Sequence, residues 1–342
     1  MKNFRILAVS LLVLFALTIS TSAQGAQQLF KRALASYKIN NFEPAISNFK
    51  SAISRQPNYP EAHYYLGRCY YNTKKFEDAI ESLQNAIQYK PAYFDAHLYL
   101  GNSFHNLSRF EKAIEAYQAA IKIKPNDNSA YTKLGIAYKS QSDCGKAVET
   151  FNEAIRLNPM DAEAHFYLGG CLAELGNVAG AQTAFEKTIK LTPKNAAAHN
   201  DLGMIYQRTD RRSDAIQRYE EAIRLNTKYA EPNYNLGGIY FGEGDYETSL
   251  PYLKQAAKLS PKWLEALGKL GENYLQLEQY DVAIPVFQKI IAIDDKNERG
   301  YYGLGLGYLA FKNKPMARHQ YEKLKALRSP LARELLAKIE GR

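Results

Sequence analysis

The segment YYLGRCYYNTKKFEDAIESLQNAIQYKP, residues 64–91, decides how the rest of the chain is read, because its pattern returns at regular intervals. The dipeptide Leu-Gly lies at 66/67 and recurs every 34 residues, without a gap, as far as 304/305. Its glycines are Gly67, Gly101, Gly135, Gly169, Gly203, Gly237, Gly271 and Gly305. Such a period favours an array of repeats over a single compact core.

Other residue types keep fixed distances from each glycine. A tyrosine, phenylalanine or leucine follows after three residues, a small residue after twelve, and a bulky residue after sixteen, as Tyr70, Ala79 and Leu83 follow Gly67. The prolines that close five of the repeats are Pro91, Pro125, Pro159, Pro193 and Pro261. A glycine inside a helix costs about 1 kcal/mol relative to alanine. Its regular return therefore predicts two antiparallel helices in each repeat, packed closely where the glycine lies.

This pattern of Leu-Gly, Tyr, Ala, a bulky residue and Pro resembles the tetratricopeptide repeat, and the resemblance covers residues 26–331. It implies an all-α fold, a right-handed α-solenoid of about nine helix-turn-helix repeats. The predicted repeats are 26–59, 60–93, 94–127, 128–161, 162–195, 196–229, 230–263, 264–297 and 298–331. Ala33 replaces the glycine in the first repeat, which is predicted to be an amino-terminal cap. Residues 331–340, LARELLAKIE, are predicted to form a carboxy-terminal capping helix.

The amino terminus is typical of a secretory signal peptide. Lys2 and Arg5 precede an apolar run from Ile6 to Ile19, which is shorter than the roughly 20 residues that span a bilayer. We therefore expect a signal peptide over residues 1–23 and no membrane span after its removal. The mature chain is expected to be exported, to a bacterial periplasm in the simplest case; secretion and membrane association are alternatives.

Charge and motifs indicate a protein without nucleic-acid or catalytic function. The net charge of +9 is spread along the chain, whereas nucleic-acid-binding proteins usually gather basic residues on one face. The sequence contains no phosphate-binding, zinc-protease or nucleophile-elbow motif. We predict no enzymatic activity, no cofactor and no nucleic-acid partner.

The histidines and cysteines do not predict a metal site or a disulfide framework. The histidines that share the fourth position of their repeats are His63, His97, His165 and His199. Residues one repeat apart lie too far from each other to ligate one metal ion. Cys69 and Cys171 stand three repeats apart and cannot bridge. Cys144 and Cys171 lie in neighbouring repeats, where a disulfide is permitted but not expected.

The resemblance also implies a binding surface, because the first helices of such repeats line a concave groove. The predicted groove residues are Tyr64, Tyr65, Arg68, Tyr71, Tyr99, Asn102, His105, Lys133, Phe166, Tyr167, Asn200, Tyr234, Asn235, Phe241 and Tyr302. Rings offer contact area and amides can bond a peptide backbone, so we expect an extended or helical segment of a protein there. An alternative is that individual tyrosines only pack between neighbouring first helices. The clamp with which some family members hold a terminal carboxylate is absent from the sequence.

These inferences predict a non-catalytic scaffold that holds a peptide or protein segment in the cell envelope. A second hypothesis is an accessory structural subunit of a secretion, pilus or polysaccharide-export machine. A third is carbohydrate binding through the exposed tyrosines. The fold class does not identify the partner.

Overall fold

A computed structural model describes residues 23–341 of the chain. The predicted signal peptide, apart from Ala23, lies outside the described residues. The described part is all-helical, with 19 helices and no strand. The all-α prediction is therefore confirmed.

The chain divides into two compact units, of which unit 1 ends at Gly180 and unit 2 begins at Ala181. In unit 1 the first helices of successive hairpins are α1 (23–38), α3 (Pro60–Asn72), α5 (Phe94–Asn106), α7 (Asn128–Ser140) and α9 (Ala162–Glu174). The second helices of these hairpins are α2 (Phe42–Arg55), α4 (Phe76–Tyr89), α6 (Phe110–Ile123) and α8 (Cys144–Leu157). The division between the two units falls inside α10 (Val178–Leu191).

Unit 2 repeats the same arrangement. Its first helices are α11 (Ala196–Arg208), α13 (Ala230–Gly242), α15 (Leu264–Gln276) and α17 (Glu298–Ala310). Its second helices are α12 (Arg212–Leu225), α14 (Tyr246–Leu259), α16 (Tyr280–Ile293) and α18 (Lys314–Ala326). The helix α19 (Leu331–Glu340) follows them and packs on α17 and α18, with Leu335 and Ile339 buried.

Three recurring glycines of unit 1, Gly67, Gly101 and Gly135, each lie beneath the bulky side chain found sixteen residues later. A Cβ atom added to Gly101 would lie 2.5 Å from Tyr117 Cε1, and one added to Gly135 would lie 2.5 Å from Phe151 Cε1. Carbon atoms in contact normally lie about 3.5–4.0 Å apart, and both rings are buried. The period therefore preserves the space that a ring needs directly over the first helix.

The turn inside each hairpin has a second periodic feature, a residue with left-handed backbone. These residues are Asn40, Lys74, Ser108, Ser142, Gly176, Asp210, Gly244, Glu278 and Lys312, with φ between 55° and 80°. After α3, the Lys75 N–H donates to Tyr70 O at 2.8 Å and the Lys74 N–H donates to Tyr71 O at 3.0 Å. This is a Schellman motif, which closes the end of the first helix. Most of these residues are not glycine, so the glycine spacing does not reveal them.

The fourth-position histidines connect one repeat to the proline that closes the preceding repeat. In each case the imidazole Nε2–H donates to the carbonyl oxygen of a proline six residues earlier. The pairs are His63–Pro57, His97–Pro91, His165–Pro159 and His199–Pro193, at 2.8, 2.9, 3.2 and 3.0 Å. These side chains therefore fix the entry of the chain into the next first helix.

Two prolines lie inside second helices of unit 2. Pro251 is in α14 and Pro285 is in α16, at equivalent positions of consecutive repeats. Each helix continues through its proline and keeps the 14-residue length of α12. A proline lacks an N–H and so leaves one carbonyl of the preceding turn without its helical donor.

Candidate functional site

The first helices of unit 1 are joined by polar contacts between residues 35 positions apart. Each contact links the twelfth position of one repeat to the thirteenth position of the next. The pairs are Tyr37–Asn72, Tyr71–Asn106, His105–Ser140 and Lys139–Glu174, at 3.4, 3.3, 3.1 and 3.7 Å. The separation is one repeat plus one residue, because neighbouring first helices lie side by side with that offset. Two of the predicted groove residues, Tyr71 and His105, take part in this ladder.

A cluster of tyrosines surrounds Arg68 on the first-helix face of unit 1. The guanidinium carbon lies 5.0 Å from the ring centre of Tyr37, 5.5 Å from that of Tyr64, 5.6 Å from that of Tyr65 and 4.8 Å from that of Tyr99. These distances are typical of cation–π contacts. We call Arg68 and these four tyrosines the Arg68 cluster. It contains residues of α1, α3 and α5.

The positive charge of Arg68 has no carboxylate partner among the described residues, and its Nε has no hydrogen-bond acceptor there. The side chain is half-buried. A guanidinium offers five N–H donors in a planar fork that matches a carboxylate. The Arg68 cluster can therefore receive an acidic group, while its rings offer apolar contact to the atoms beside that group.

Two of the predicted groove residues are buried in the structure. Tyr64 is 5% exposed and Asn200 is 0% exposed, so neither side chain offers surface to a partner. The Tyr64 ring packs against Tyr93 and Tyr65, and burial raises the pKa of its hydroxyl. The expectation that these two side chains line an open groove is corrected for this reason. Each supports its neighbours instead.

The remaining predicted groove residues of unit 1 are half-buried, and several of them contact neighbouring side chains. Asn102 accepts a hydrogen bond of 2.8 Å from the hydroxyl of Tyr117. Tyr71 and Tyr99 pack edge to face at 5.5 Å. Phe166 and Tyr167 pack against each other in the same way at 5.4 Å. The alternative that individual rings pack between first helices therefore describes part of this face.

His105 and Lys133 lie on the same face. Burial and the nearby charge of Lys133 lower the pKa of the His105 imidazole. The imidazole Nε2 lies 3.1 Å from the hydroxyl oxygen of Ser140. The lowered pKa favours the neutral form of the His105 imidazole.

In unit 2 the predicted residues lie in separate local contacts. Asn235 donates through Nδ2 to Asn200 Oδ1 at 3.1 Å, again across 35 residues. Tyr234 packs on Trp263 with ring centres 4.7 Å apart. Tyr302 packs beside the cluster that buries Leu335.

Phe241 in unit 2 contacts both a ring and a cation. It packs on Tyr246 at 5.2 Å, and the Nζ of Lys269 lies 4.7 Å from its ring centre. No arrangement comparable to the Arg68 cluster is seen among these unit 2 residues.

Sequence reasoning missed an apolar groove on the second-helix face of unit 2. This cavity has a volume of about 880 Å³ and lies between α14 and α16, with α15 beneath it. Leu267, Leu270 and Tyr274 form its floor, and Pro251 and Pro285 stand on its two sides. The sequence signal for this groove is the pair of prolines that lie 34 residues apart.

The rim of the same groove is mostly positive. It carries Lys254, Lys258 and Lys289 against the single carboxylate of Asp281. Val282 lies beside them and is 40% exposed. An apolar floor with a basic rim suits an acidic amphipathic segment.

Comparison with known families decides the identity of the repeats. Models of the TPR repeat match residues 68–108 and 101–142. Models of the tetratricopeptide repeat match residues 37–84, 132–196, 172–230 and 229–296. The matched segments run without a gap from residue 37 to residue 296. The chain belongs to the tetratricopeptide repeat family. Proteins of this family are protein–protein interaction scaffolds, and this chain carries their repeats.

Solved structures of tetratricopeptide proteins share the fold. A tetratricopeptide repeat protein from Parabacteroides merdae matches with a TM-score of 0.58 and 16% identity, over 73% of this chain and 99% of its own. PilF of Pseudomonas aeruginosa matches with a TM-score of 0.55 and 20% identity, over 62% of this chain and 97% of its own. A chain of the APC/C hetero-tetramer Cut9–Hcn1 matches with a TM-score of 0.55 and 16% identity, over 92% of this chain and 76% of its own. None of the curated proteins compared with the sequence matches it.

Two further features of this tetratricopeptide protein bear on its chemistry. Among residues 23–341, no three His, Cys, Asp or Glu side chains are grouped so that they could hold a metal ion. Within the same range, every helix is too short or too polar to cross a membrane.

Proposed function

We propose that this tetratricopeptide protein is a non-catalytic scaffold that holds a segment of a protein partner at the Arg68 cluster. The observation that carries the proposal is a half-buried guanidinium with tyrosine rings on several sides and no carboxylate of its own. A buried cation without a counter-ion is costly, and a partner carboxylate relieves that cost when it binds.

The chemistry of the cluster specifies the partner segment. Arg68 recognises an Asp, Glu or terminal carboxylate. Tyr65 and Tyr99 contact an apolar or aromatic residue next to it. Rigid rings lose little conformational entropy on binding, which makes them efficient contact residues.

The place of action that we propose is the cell envelope. The support is the sequence of residues 1–23, in which two basic residues precede an apolar run and small residues. The partner would then be another exported or envelope protein. Fractionation of cells that produce the full chain tests this part, and recovery of the intact chain from the cytoplasm would contradict it.

The binding proposal is tested with a random-peptide display library selected on the purified protein. Selected peptides are expected to carry an acidic residue. Their affinity should fall about 30-fold for the Arg68→Gln variant and by a similar factor for the Tyr99→Ala variant. The reason is that central contacts of this kind contribute about 2 kcal/mol to binding. The control is Tyr89→Ala in α4, since Tyr89 is 43% exposed and lies outside the cluster.

Circular dichroism must show that both cluster variants keep their helix content. Selected peptides that bind the Arg68→Gln and Tyr99→Ala variants as tightly as the unchanged protein would refute the assignment of the cluster. Peptides without an acidic residue would refute the role given to the guanidinium.

A second candidate function is an accessory structural subunit of a secretion, pilus or polysaccharide-export machine. The observation that favours it is the apolar groove between α14 and α16, which gives unit 2 a contact surface separate from the Arg68 cluster. Under this proposal, Val282→Lys would release the protein from a co-purified complex, whereas Arg68→Gln would not. The opposite result would leave only the first proposal.

A further inference from the structure

We propose that Cys144 and Cys171 are a disulfide-forming pair that covalently ties α8 to α9. The Sγ atoms of these residues lie 2.9 Å apart, and both thiols are free in the structure. A disulfide has an S–S length of about 2.0 Å, so the two sulfurs need to approach by less than 1 Å to bond. The proposal does not depend on the Arg68 cluster.

The pair arises because this hairpin lacks an aromatic residue that other hairpins of unit 1 have. The second helices α4 and α6 begin with Phe76 and Phe110, whose rings pack against Tyr71 and His105 at 5.6 and 5.4 Å. The helix α8 begins instead with Cys144. Cys144 therefore leaves room at a place where the three preceding hairpins have a phenylalanine ring, and the Cys171 sulfur lies next to it.

The polar surroundings of the pair come from the inter-repeat ladder. Glu174 Oε2 lies 3.2 Å from Cys144 Sγ, and Glu174 Oε1 lies 3.7 Å from Lys139 Nζ. Cys144 is 6% exposed and Cys171 is fully buried. Burial raises the pKa of both thiols. Exchange requires a thiolate, so the reaction is slow at neutral pH and faster in mild base.

The oxidant in the proposed reaction is a small-molecule or protein disulfide. The Cys144 thiolate attacks one sulfur of that disulfide, which breaks the S–S bond and releases the first thiolate. The Cys171 thiolate then attacks Cys144 Sγ and releases the second. The leaving thiolates take up the two protons lost by the cysteines, so two protein thiols are oxidised and one external disulfide is reduced to two thiols.

The chain provides its own control in Cys69. This residue is buried in α3, and the repeats on either side of its own, 26–59 and 94–127, contain no cysteine. Burial raises the pKa of the Cys69 thiol to about 12. A buried cysteine without a neighbouring cysteine should remain a thiol under the same treatment.

The test uses the full-length protein incubated with oxidised glutathione at about pH 8.5, near the ordinary pKa of a cysteine thiol. Thiol titration in denaturant should fall from three thiols to one. Tryptic mapping should find peptide 140–146 joined to peptide 157–187, and peptide 69–74 unlinked. The midpoint of thermal unfolding should rise by about 5–10 °C and return after reduction, because the bridge closes a loop of the unfolded chain.

Three variants separate the proposal from its alternatives. Cys144→Ser and Cys171→Ser should each abolish both the linked peptide and the thermal shift, while Cys69→Ser should keep both. Three titratable thiols after oxidation, or a linked peptide that contains Cys69, would overturn the proposal. Glutathione retained on Cys144 without conversion to the bridge would overturn it as well.

Discussion

Gly237 and Gly238 are adjacent in α13, but their surroundings differ completely. A Cβ atom at position 237 would lie 2.9 Å from both Cγ and Cδ2 of Leu253 and 3.3 Å from its backbone nitrogen. A Cβ atom at position 238 would have no neighbour within 4 Å. Leu253 is fully buried in a cluster with Leu267 and Leu270, so a shift of its side chain would disturb the packing of these neighbours.

The two alanine substitutions therefore separate helix propensity from packing. Gly238→Ala is expected to stabilise unit 2 by up to about 1 kcal/mol, which is the difference in helix propensity. Gly237→Ala gains the same amount but adds an overpacking cost of about 1–3 kcal/mol. We expect the second variant to be less stable than the first by about 1–3 kcal/mol.

Guanidinium unfolding followed by far-UV circular dichroism measures this difference, and neither change alters charge. Thermal unfolding should show the same order, with a separation of a few degrees per kcal/mol. Equal shifts of the two variants in the same direction would refute the argument that the glycine period preserves room for a side chain.

Two further perturbations test the contacts between repeats. Asp161 accepts hydrogen bonds from the Ala164 N–H, the Thr132 hydroxyl and the Asn128 amide. Asp161→Ala should therefore lower the free energy of unfolding by about 2–3 kcal/mol. Asp245→Ala, which removes only a helix cap, should lower it by about 1 kcal/mol. Equal losses would contradict the role of Asp161 in joining α7 to α9. The lowered pKa of His105 means that its unfolded form binds a proton at higher pH than its folded form. The free energy of unfolding should therefore fall as the pH drops below about 6.5, and it should fall less steeply in His105→Gln. If the unchanged protein and this variant have the same pH dependence of the thermal midpoint, His105 makes no such contribution.

The position of a residue within its repeat predicts which face of the array its side chain lies on. Tyr65, Arg68 and Tyr99 were predicted to share a face, and the structure brings them together around one guanidinium. The alternative in which individual tyrosines pack between first helices applies to Tyr64. The burial of Asn200 was not predicted, because repeat position gives the direction of a side chain and not the size of its neighbours. The sequence permits a Cys144–Cys171 bridge without favouring it, because repeat position places the two residues in neighbouring repeats but does not give the distance between their sulfur atoms.

The sequence by itself determined the helical hairpin, its 34-residue length and the close packing of its two helices, because these depend on residues within one repeat. Only the tertiary structure decided the 35-residue ladder, the tyrosines around Arg68 and the groove between α14 and α16. Each of these depends on side chains from different helices, and often from neighbouring repeats, which meet only after the hairpins have packed against one another. The distances that define them are set by that packing and not by the spacing of residues along the chain.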